Sequence, residues 1–407
     1  MKLLSCLVIA ACTALTAVCQ NVHGIRTAVA DYRVCYDNQQ AGYGTIFGSL
    51  AAVDDSTWLG VFSGGGKYQD DEIGMTPFST VTTDFGRTWS KPDSFARQLL
   101  ENPKAESTVM RVFGPTDQGT IIAMGYQYQN EEADKVYFED TQWRTYQLIV
   151  GRKPRGAEDF TYEILPSGTF LGEQFVEGGL QLPDGRILLT IWGAKHRGEN
   201  WRSGVLLSDD DGKSWVYRDV AYEADRNIRD NAKVVAGFNE QTLFLGAGGK
   251  LVSLIRGREK LGRLTDSPAD TWFFRAESVD RGDTWSAYEQ TDLAGTGGAF
   301  GAGITLPDGS LLHACRVPYA RNLYQLAEPD LFGLHIVRSF DEGRSWHTEH
   351  VLQRDPDGKP FKDYYQVMNG QFLRIDDGLW LYQFGQFDVT DRVFRILSFC
   401  IQLANEE

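Results

Sequence analysis

Apolar residues along this chain come in short runs closed off by turn residues, as in Tyr146-Gln147-Leu148-Ile149-Val150 ahead of Arg152-Lys153-Pro154-Arg155-Gly156. Runs of that length predict strands, and no segment reads as a long helix. The turns supply the organisation. Leu182-Pro183-Asp184-Gly185, Leu306-Pro307-Asp308-Gly309 and Ile375-Asp376-Asp377-Gly378 each lie between alternating apolar runs, where an Asp-Gly pair makes a hairpin. Gln118-Gly119 and Gly248-Gly249 take the same place in two other stretches.

A second hairpin signal follows in the form S/T-x-D-x-G-x-T/S-W. Its four copies are Thr82-Thr83-Asp84-Phe85-Gly86-Arg87-Thr88-Trp89, Ser208-Asp209-Asp210-Asp211-Gly212-Lys213-Ser214-Trp215, Ser278-Val279-Asp280-Arg281-Gly282-Asp283-Thr284-Trp285 and Ser339-Phe340-Asp341-Glu342-Gly343-Arg344-Ser345-Trp346. The Asp accepts bonds from turn amides, the Gly supplies a positive φ, the hydroxyls cap backbone groups, and the Trp starts a strand from which its ring can be buried. The Asp positions are 126, 70 and 61 residues apart, so a degenerate copy is missing from the first gap, near Arg152–Gly156. A period of about 60 to 65 residues leaves room for one more unit after residue 347, making six. Each unit reads as four antiparallel strands, the Asp-Gly turn joining the first two and the box the last two. Six such sheets closed around an axis form an all-β, six-bladed β-propeller, with Tyr32-Arg33-Val34-Cys35-Tyr36 pairing into the last blade, formed by 363–403.

With 407 residues, 42% hydrophobic and 12% aromatic, the chain can fill a large core without staples. A net charge of −15 disfavours nucleic acid and anionic lipid as partners. Met1-Lys2, the apolar run Leu3–Cys12 and the small residues through Cys19 read as a signal peptide over 1–19, leaving 20–407 as a single domain. Ile9-Ala10-Ala11-Cys12 also resembles a lipobox, but a soluble secreted or periplasmic monomer is the expectation. Beyond the leader only Cys35, Cys315 and Cys400 remain, so at most one disulfide can form. No later segment is apolar for long enough to span a membrane.

The boxes and their spacing resemble the Asp-box repeats of sialidases and of the wider sialidase-like propeller superfamily, over essentially the whole chain after the leader. In that superfamily the boxes lie on the blade periphery and carry no catalysis, so the resemblance implies the fold and leaves the site to be argued from other residues. An axial pocket is lined by residues at the start of each innermost strand and by loops after each second strand. In the fourth repeat, the stretch from Asn239-Glu240 to Arg256 is similar to the sialidase segment whose Glu activates a Tyr nucleophile and whose Arg clamps the substrate carboxylate, which implies those roles for Glu240 and Arg256. An Arg fork matches a carboxylate on chemical grounds alone. Counting from the turn glycines, Gly309 places Arg316 where Gly249 places Arg256. Arg258, Arg321 and Arg202 are further candidates for gripping a substrate.

Glu177 opens the inner strand of the third repeat, so Glu177 and Glu240 can serve as the carboxylate pair of a retaining glycosidase. Arabinan-cleaving members of the superfamily are believed to use two glutamates. Glu106 and Asp230 are further carboxylates at strand mouths. Asp71, in Ser63-Gly64-Gly65-Gly66-Lys67-Tyr68-Gln69-Asp70-Asp71-Glu72, matches the sialidase loop that carries the acid/base Asp, and Tyr365 is the candidate nucleophile. The chain departs from sialidases twice. Thr45–Leu50 lacks the first arginine of that family, Tyr32-Arg33-Val34-Cys35 lying about 13 residues too early to supply it. Strict counting also puts Asn369 at the nucleophile position, and Tyr365 fits with a four-residue insertion.

None of the six His has metal-ligand spacing, and no dinucleotide or phosphate fingerprint is present, so no cofactor or metal is expected. The resulting expectation is an exported exo-glycosidase acting on a terminal, acidic sugar of a glycan or polysaccharide. The alternatives are an arabinanase-like two-glutamate glycosidase, a polysaccharide lyase with His196 or His313 as base, and a non-catalytic glycan-binding propeller stacking sugars on Tyr126, Tyr128, Trp192 and Trp201. A polar loop or packed ring is the plainer account of the two histidines.

Overall fold

The computed structural model describes residues 25–37, 45–64, 75–101, 107–130, 144–165, 174–193, 201–222, 237–258, 271–294, 302–317, 333–361, 370–388 and 393–405. The proposed leader over 1–19 lies outside them. Turn chemistry repeated along the chain yields six four-stranded antiparallel sheets. The first described strand, β1 (Ile25–Asp37), belongs to the last of these. Blade 1 is β2 (Thr45–Ala52), β3 (Trp58–Gly64), β4 (Thr76–Thr82) and β5 (Asp93–Ser94). Blade 2 is β6 (Ser107–Phe113), β7 (Ile121–Asn130), β8 (Arg144–Lys153) and β9 (Thr161–Ile164). Blade 3 is β10 (Gln174–Gln181), β11 (Ile187–Gly193), β12 (Arg202–Ser208) and β13 (Val216–Ala221). Blade 4 is β14 (Phe238–Leu245), β15 (Leu251–Arg258), β16 (Thr271–Ser278) and β17 (Glu289–Ala294). Blade 5 is β18 (Gly303–Thr305), β19 (Leu311–Val317), β20 (Gly333–Ser339) and β21 (His347–Leu352), and blade 6 is β22 (Gly370–Asp376), β23 (Leu379–Asp388), β24 (Val393–Asn405) and β1. The protein is a six-bladed β-propeller, and among the described residues helix is confined to two 3₁₀ turns, Arg97–Leu99 and Ala247–Gly249.

Each sheet is covered on both faces by its neighbours, so the middle strands are buried at successive positions, β11, β12 and β20 throughout. The Asp-Gly turns join first strands to second, and the boxes join third to fourth. In box 3 the Asp280 carboxylate accepts the Thr284 amide (2.9 Å), the Thr284 hydroxyl (2.5 Å) and the Ser278 hydroxyl (2.8 Å), while Ser278 Oγ accepts the Gly282 amide (2.8 Å). Thr284 and then Ser278 hold Asp280 down to about 2. Boxes 1, 2 and 4 repeat the pattern around Asp84, Asp210 and Asp341. The residue between Asp and Gly is left-handed in every copy, with φ of 59° at Phe85, 60° at Asp211, 66° at Arg281 and 61° at Glu342.

That variable residue reaches back to the preceding blade in three of the four boxes. Asp211 accepts the Thr116 hydroxyl (2.7 Å), the Thr120 hydroxyl (2.6 Å) and Arg152 (2.9 Å) of blade 2. Arg281 pairs with Asp184 (2.5 Å) and Asp209 (3.2 Å) of blade 3, and Glu342 with Lys250 (2.6 Å) of blade 4. Arg152 rises from the hairpin that lacks a box, so the degenerate unit still joins the chain of contacts. Because the Asp211 side chain is 4% exposed and Arg152 20%, Asp211→Ala strands a half-buried cation and two hydroxyls. We expect a loss of about 2–3 kcal/mol, read from the urea midpoint. An unchanged midpoint would show that this contact contributes nothing.

Candidate functional site

The mouth of blade 4 is built from the start of β14 and the end of β15. Asn239 pairs with Arg256 and Gln241 with Ile255, so Glu240 is an extra residue in a β-bulge. A bulge re-aims side chains, and here it brings Glu240 onto the Arg256 face, where the two form an ion pair with side chains 16% and 10% exposed. Blade 3 fixes the strand in place. The Gln241 amide donates to the carbonyls of Ile191 (3.3 Å) and Gly204, and its oxygen accepts Ser253 Oγ (2.9 Å). Ser203 Oγ donates to the Asn239 carbonyl (3.2 Å), and the Phe238 amide to the Trp201 carbonyl (3.1 Å). Gly237, at φ 132°, allows that approach, since a Cβ there would stand 2.3 Å from the Trp201 oxygen.

The inner strand of blade 3 carries a similar bulge. Val176 pairs with Ile191 and Gly179 with Leu189, leaving Glu177 and Gly178 opposite Thr190, whose Oγ1 accepts the Gly178 amide (2.9 Å). Glu177 and Glu240 thus both stand at bulges on neighbouring inner strands; the Glu177 side chain lies outside the described residues. β2 is bulged too, between Ile46 and Ser49. At that bulge, near where sialidases carry their first arginine, the chain has Gly48, and a Cβ there would meet Gln383 Oε1 of blade 6 at 3.1 Å. Tyr32-Arg33-Val34-Cys35 lies on β1, the outermost strand of blade 6, and cannot supply that arginine.

Arg316 is half-buried at the sixth position of β19, as Arg256 is of β15. Arg202 is held within blade 3 by Asp219 (3.2 Å) and lies 3.6 Å over the Tyr222 ring. Arg258 ends β15, and its side chain is not described. Asp71, Tyr365, Arg321, Glu106, Asp230, Asn369 and His196 lie outside the described residues.

Two of the aromatic candidates need correction. Tyr126 is 0% exposed and Trp192 7%, both inside the core between blades 2 and 3, because they sit on second strands covered on either face. Neither can stack on a sugar. Trp201 packs against the same core, its ring 4.7 Å from Trp192, and the Tyr128 side chain is not described. His313 is a packed ring among Phe244, Phe273 and Trp346. Cys35, Cys315 and Cys400 are all free thiols.

The sequence reading missed two features here. Asn239 is 3% exposed at the site, and its signal was its place directly before Glu240. Arg395, set in the apolar run Val393-Phe394-Arg395-Ile396-Leu397, makes a buried pair with Asp355 (3.1 Å) ahead of the segment that carries Tyr365. Among the described residues no three His, Cys, Asp or Glu side chains are grouped to hold a metal ion, and no helix is long and apolar enough to cross a membrane.

The pattern of the BNR repeat-like domain matches residues 158–377, just over half of the chain. No curated protein is a detectable sequence relative. Among solved structures the chain is similar to a protein of unknown function from Dyadobacter fermentans, at 17% identity and a TM-score of 0.68, covering 94% of this chain and 100% of that one. It is also similar to the NanB sialidase of Streptococcus pneumoniae (13%, TM-score 0.57, 91% of this chain and 70% of that one). For a Trypanosoma rangeli sialidase the values are 12% and 0.56, with 92% of this chain and 59% of that one covered. Likeness at these identities shows a shared fold.

Proposed function

From the premise that the chain belongs to the BNR repeat-like family, within the sialidase-like superfamily, we propose that it is an exported glycoside hydrolase releasing a terminal, acidic sugar. The observation that carries this reading is the ion pair of Glu240 and Arg256 at a bulged strand mouth, beside the inner strand whose own bulge bears Glu177. Glu240 and Glu177 are the working carboxylates, or Glu240 activates Tyr365; Asp71 is the acid/base. Arg256 and Arg316, at the same position of adjacent second strands, grip the anionic sugar, because a guanidinium offers fixed donors to a carboxylate. The binding-module reading loses support with the burial of Tyr126 and Trp192, and the lyase reading with that of His313.

The test is cleavage of 4-methylumbelliferyl glycosides of N-acetylneuraminic acid, glucuronic acid and arabinofuranose. Glu240→Gln and Glu177→Gln are each expected to lower kcat more than about a hundredfold, the scale of losing a positioned acid, base or nucleophile. Parental rates in both variants would end the two-carboxylate mechanism. Binding without cleavage by the intact protein would favour a binding module, and an unsaturated uronate product a lyase.

A further inference from the structure

Among the described residues, two buried polar atoms at the mouth of blade 4 have no hydrogen-bond partner, Oδ1 of Asn239 and Nε of Arg256. Asn239 is 3% exposed and Arg256 8%. The two residues are register partners across β14 and β15, so their side chains leave the sheet on the same face, with Cβ atoms about 5 Å apart in such pairs. Both groups are held where they are. Ser203 grips the Asn239 carbonyl, Gln241 ties the strand to blade 3, and Glu240 takes Nη1 of the guanidinium. An unmet buried donor or acceptor is costly, and a donor and an acceptor left unmet on register partners, next to a candidate catalytic carboxylate, mark a place for a guest.

The chemistry of the two atoms selects that guest. Nε–H only donates and Oδ1 only accepts. Between these two atoms a carboxylate would suit the arginine but be repelled by Oδ1, and an ammonium the reverse, so the sugar's acidic group is left to the Nη2 edge of Arg256 and to Arg316. One oxygen that accepts and donates at once belongs to a hydroxyl. We propose that Asn239 and Arg256 form a subsite for one neutral hydroxyl of the substrate sugar, adjoining Glu240. The proposal rests on the glycan-cleaving reading above. Water shares the hydroxyl's chemistry, so the test must separate the two.

The variants are Asn239→Leu, close in shape and without the acceptor, and Asn239→Asp, which keeps the size and pairs directly with Arg256. Each is compared with the parent by thermal melting without sugar and by calorimetric titration with N-acetylneuraminic acid, glucuronic acid and L-arabinose. Asn239→Leu is expected to melt no lower than the parent, since an orphaned acceptor has gone. Its affinity for whichever sugar the parent binds should fall about tenfold, the scale of one hydrogen bond. A deoxy analogue lacking the bound hydroxyl should then bind parent and variant alike. If Asn239→Leu does not fold, Asn239→Asp carries the same affinity reading. A lower melting temperature with unchanged affinity would identify a structural water and overturn the proposal. Should the parent bind none of the three sugars, the glycan reading fails for them. The subsite is then decided by melting alone: no decrease keeps it, and a decrease overturns it.

Discussion

A chain shortened to begin after Asp37 should fail to melt cooperatively, and should recover when a peptide of residues 25–37 is added. β1 is paired along its length with β24, from Ile25 opposite Asn405 to Asp37 opposite Arg395. Its Val29, Tyr32 and Val34 cover the core between blades 5 and 6, Tyr32 stacking on Phe384 and meeting Phe399 edge-on. It is also tied to blade 5: Arg338 Nη1 donates to the Ile25 carbonyl (2.9 Å), and Thr27 Oγ1 meets His350 Nε2 (2.8 Å) and Glu349. Removing it bares an edge strand and an apolar face together. Since a domain's net stability is about 5–15 kcal/mol, the loss of a whole ladder and three apolar side chains takes most of it. Parental melting of the shortened chain, without the peptide, would show that closure of the ring does not depend on β1.

The second large effect is acid lability centred on His313. Burial among Phe244, Phe273 and Trp346 pulls this imidazole from 6.5 down to about 3, the Ala302 backbone resisting in part. As pH falls, the unfolded chain takes the proton first. The folded state therefore loses ground from pH 6.5 downward until its own ring protonates near 3, and nothing is lost at pH 7. The cost is roughly 2 kcal/mol at pH 5 and 4–5 kcal/mol by pH 3. His350, shifted down by burial against the pull of Glu349, acts in the same direction. The box carboxylates follow in a lower window, since Asp280 at about 2 contributes stability that is lost as pH drops below the ordinary carboxylate range. Urea midpoints at pH 7 and pH 5 test this. His313→Leu should remove most of the decline seen in the parent, and an equal decline in the variant would place the acid sensitivity elsewhere.

The blades could be counted in the sequence because Asp-box and Asp-Gly turns are local. Each is specified by a few residues whose hydrogen bonds close on themselves, as around Asp280 and Ser278. The positions of Glu240 and Arg256 could be found by counting from those turns. Their mutual pairing could not, because it depends on a bulge, and a bulge is a property of register between strands. Tyr126 and Trp192 misled for a related reason. On a sheet with one wet face, alternation tells inside from outside, but a propeller's middle strands have no wet face, so an aromatic residue there is core whichever way it points. Gly48 was visible as a missing arginine, while the Gln383 side chain that a Cβ there would meet comes from the far end of the chain.

The variable residue of the last three boxes also encodes an order. Asp211 suits a predecessor offering two hydroxyls and Arg152, Arg281 one offering Asp184 and Asp209, and Glu342 one offering Lys250. Exchanging the boxes of blades 3 and 4 would set an aspartate against Asp184 and an arginine against Arg152. The propeller's repeats are thus similar enough to share one architecture, yet blades 3, 4 and 5 each carry an address fitted to the blade before them.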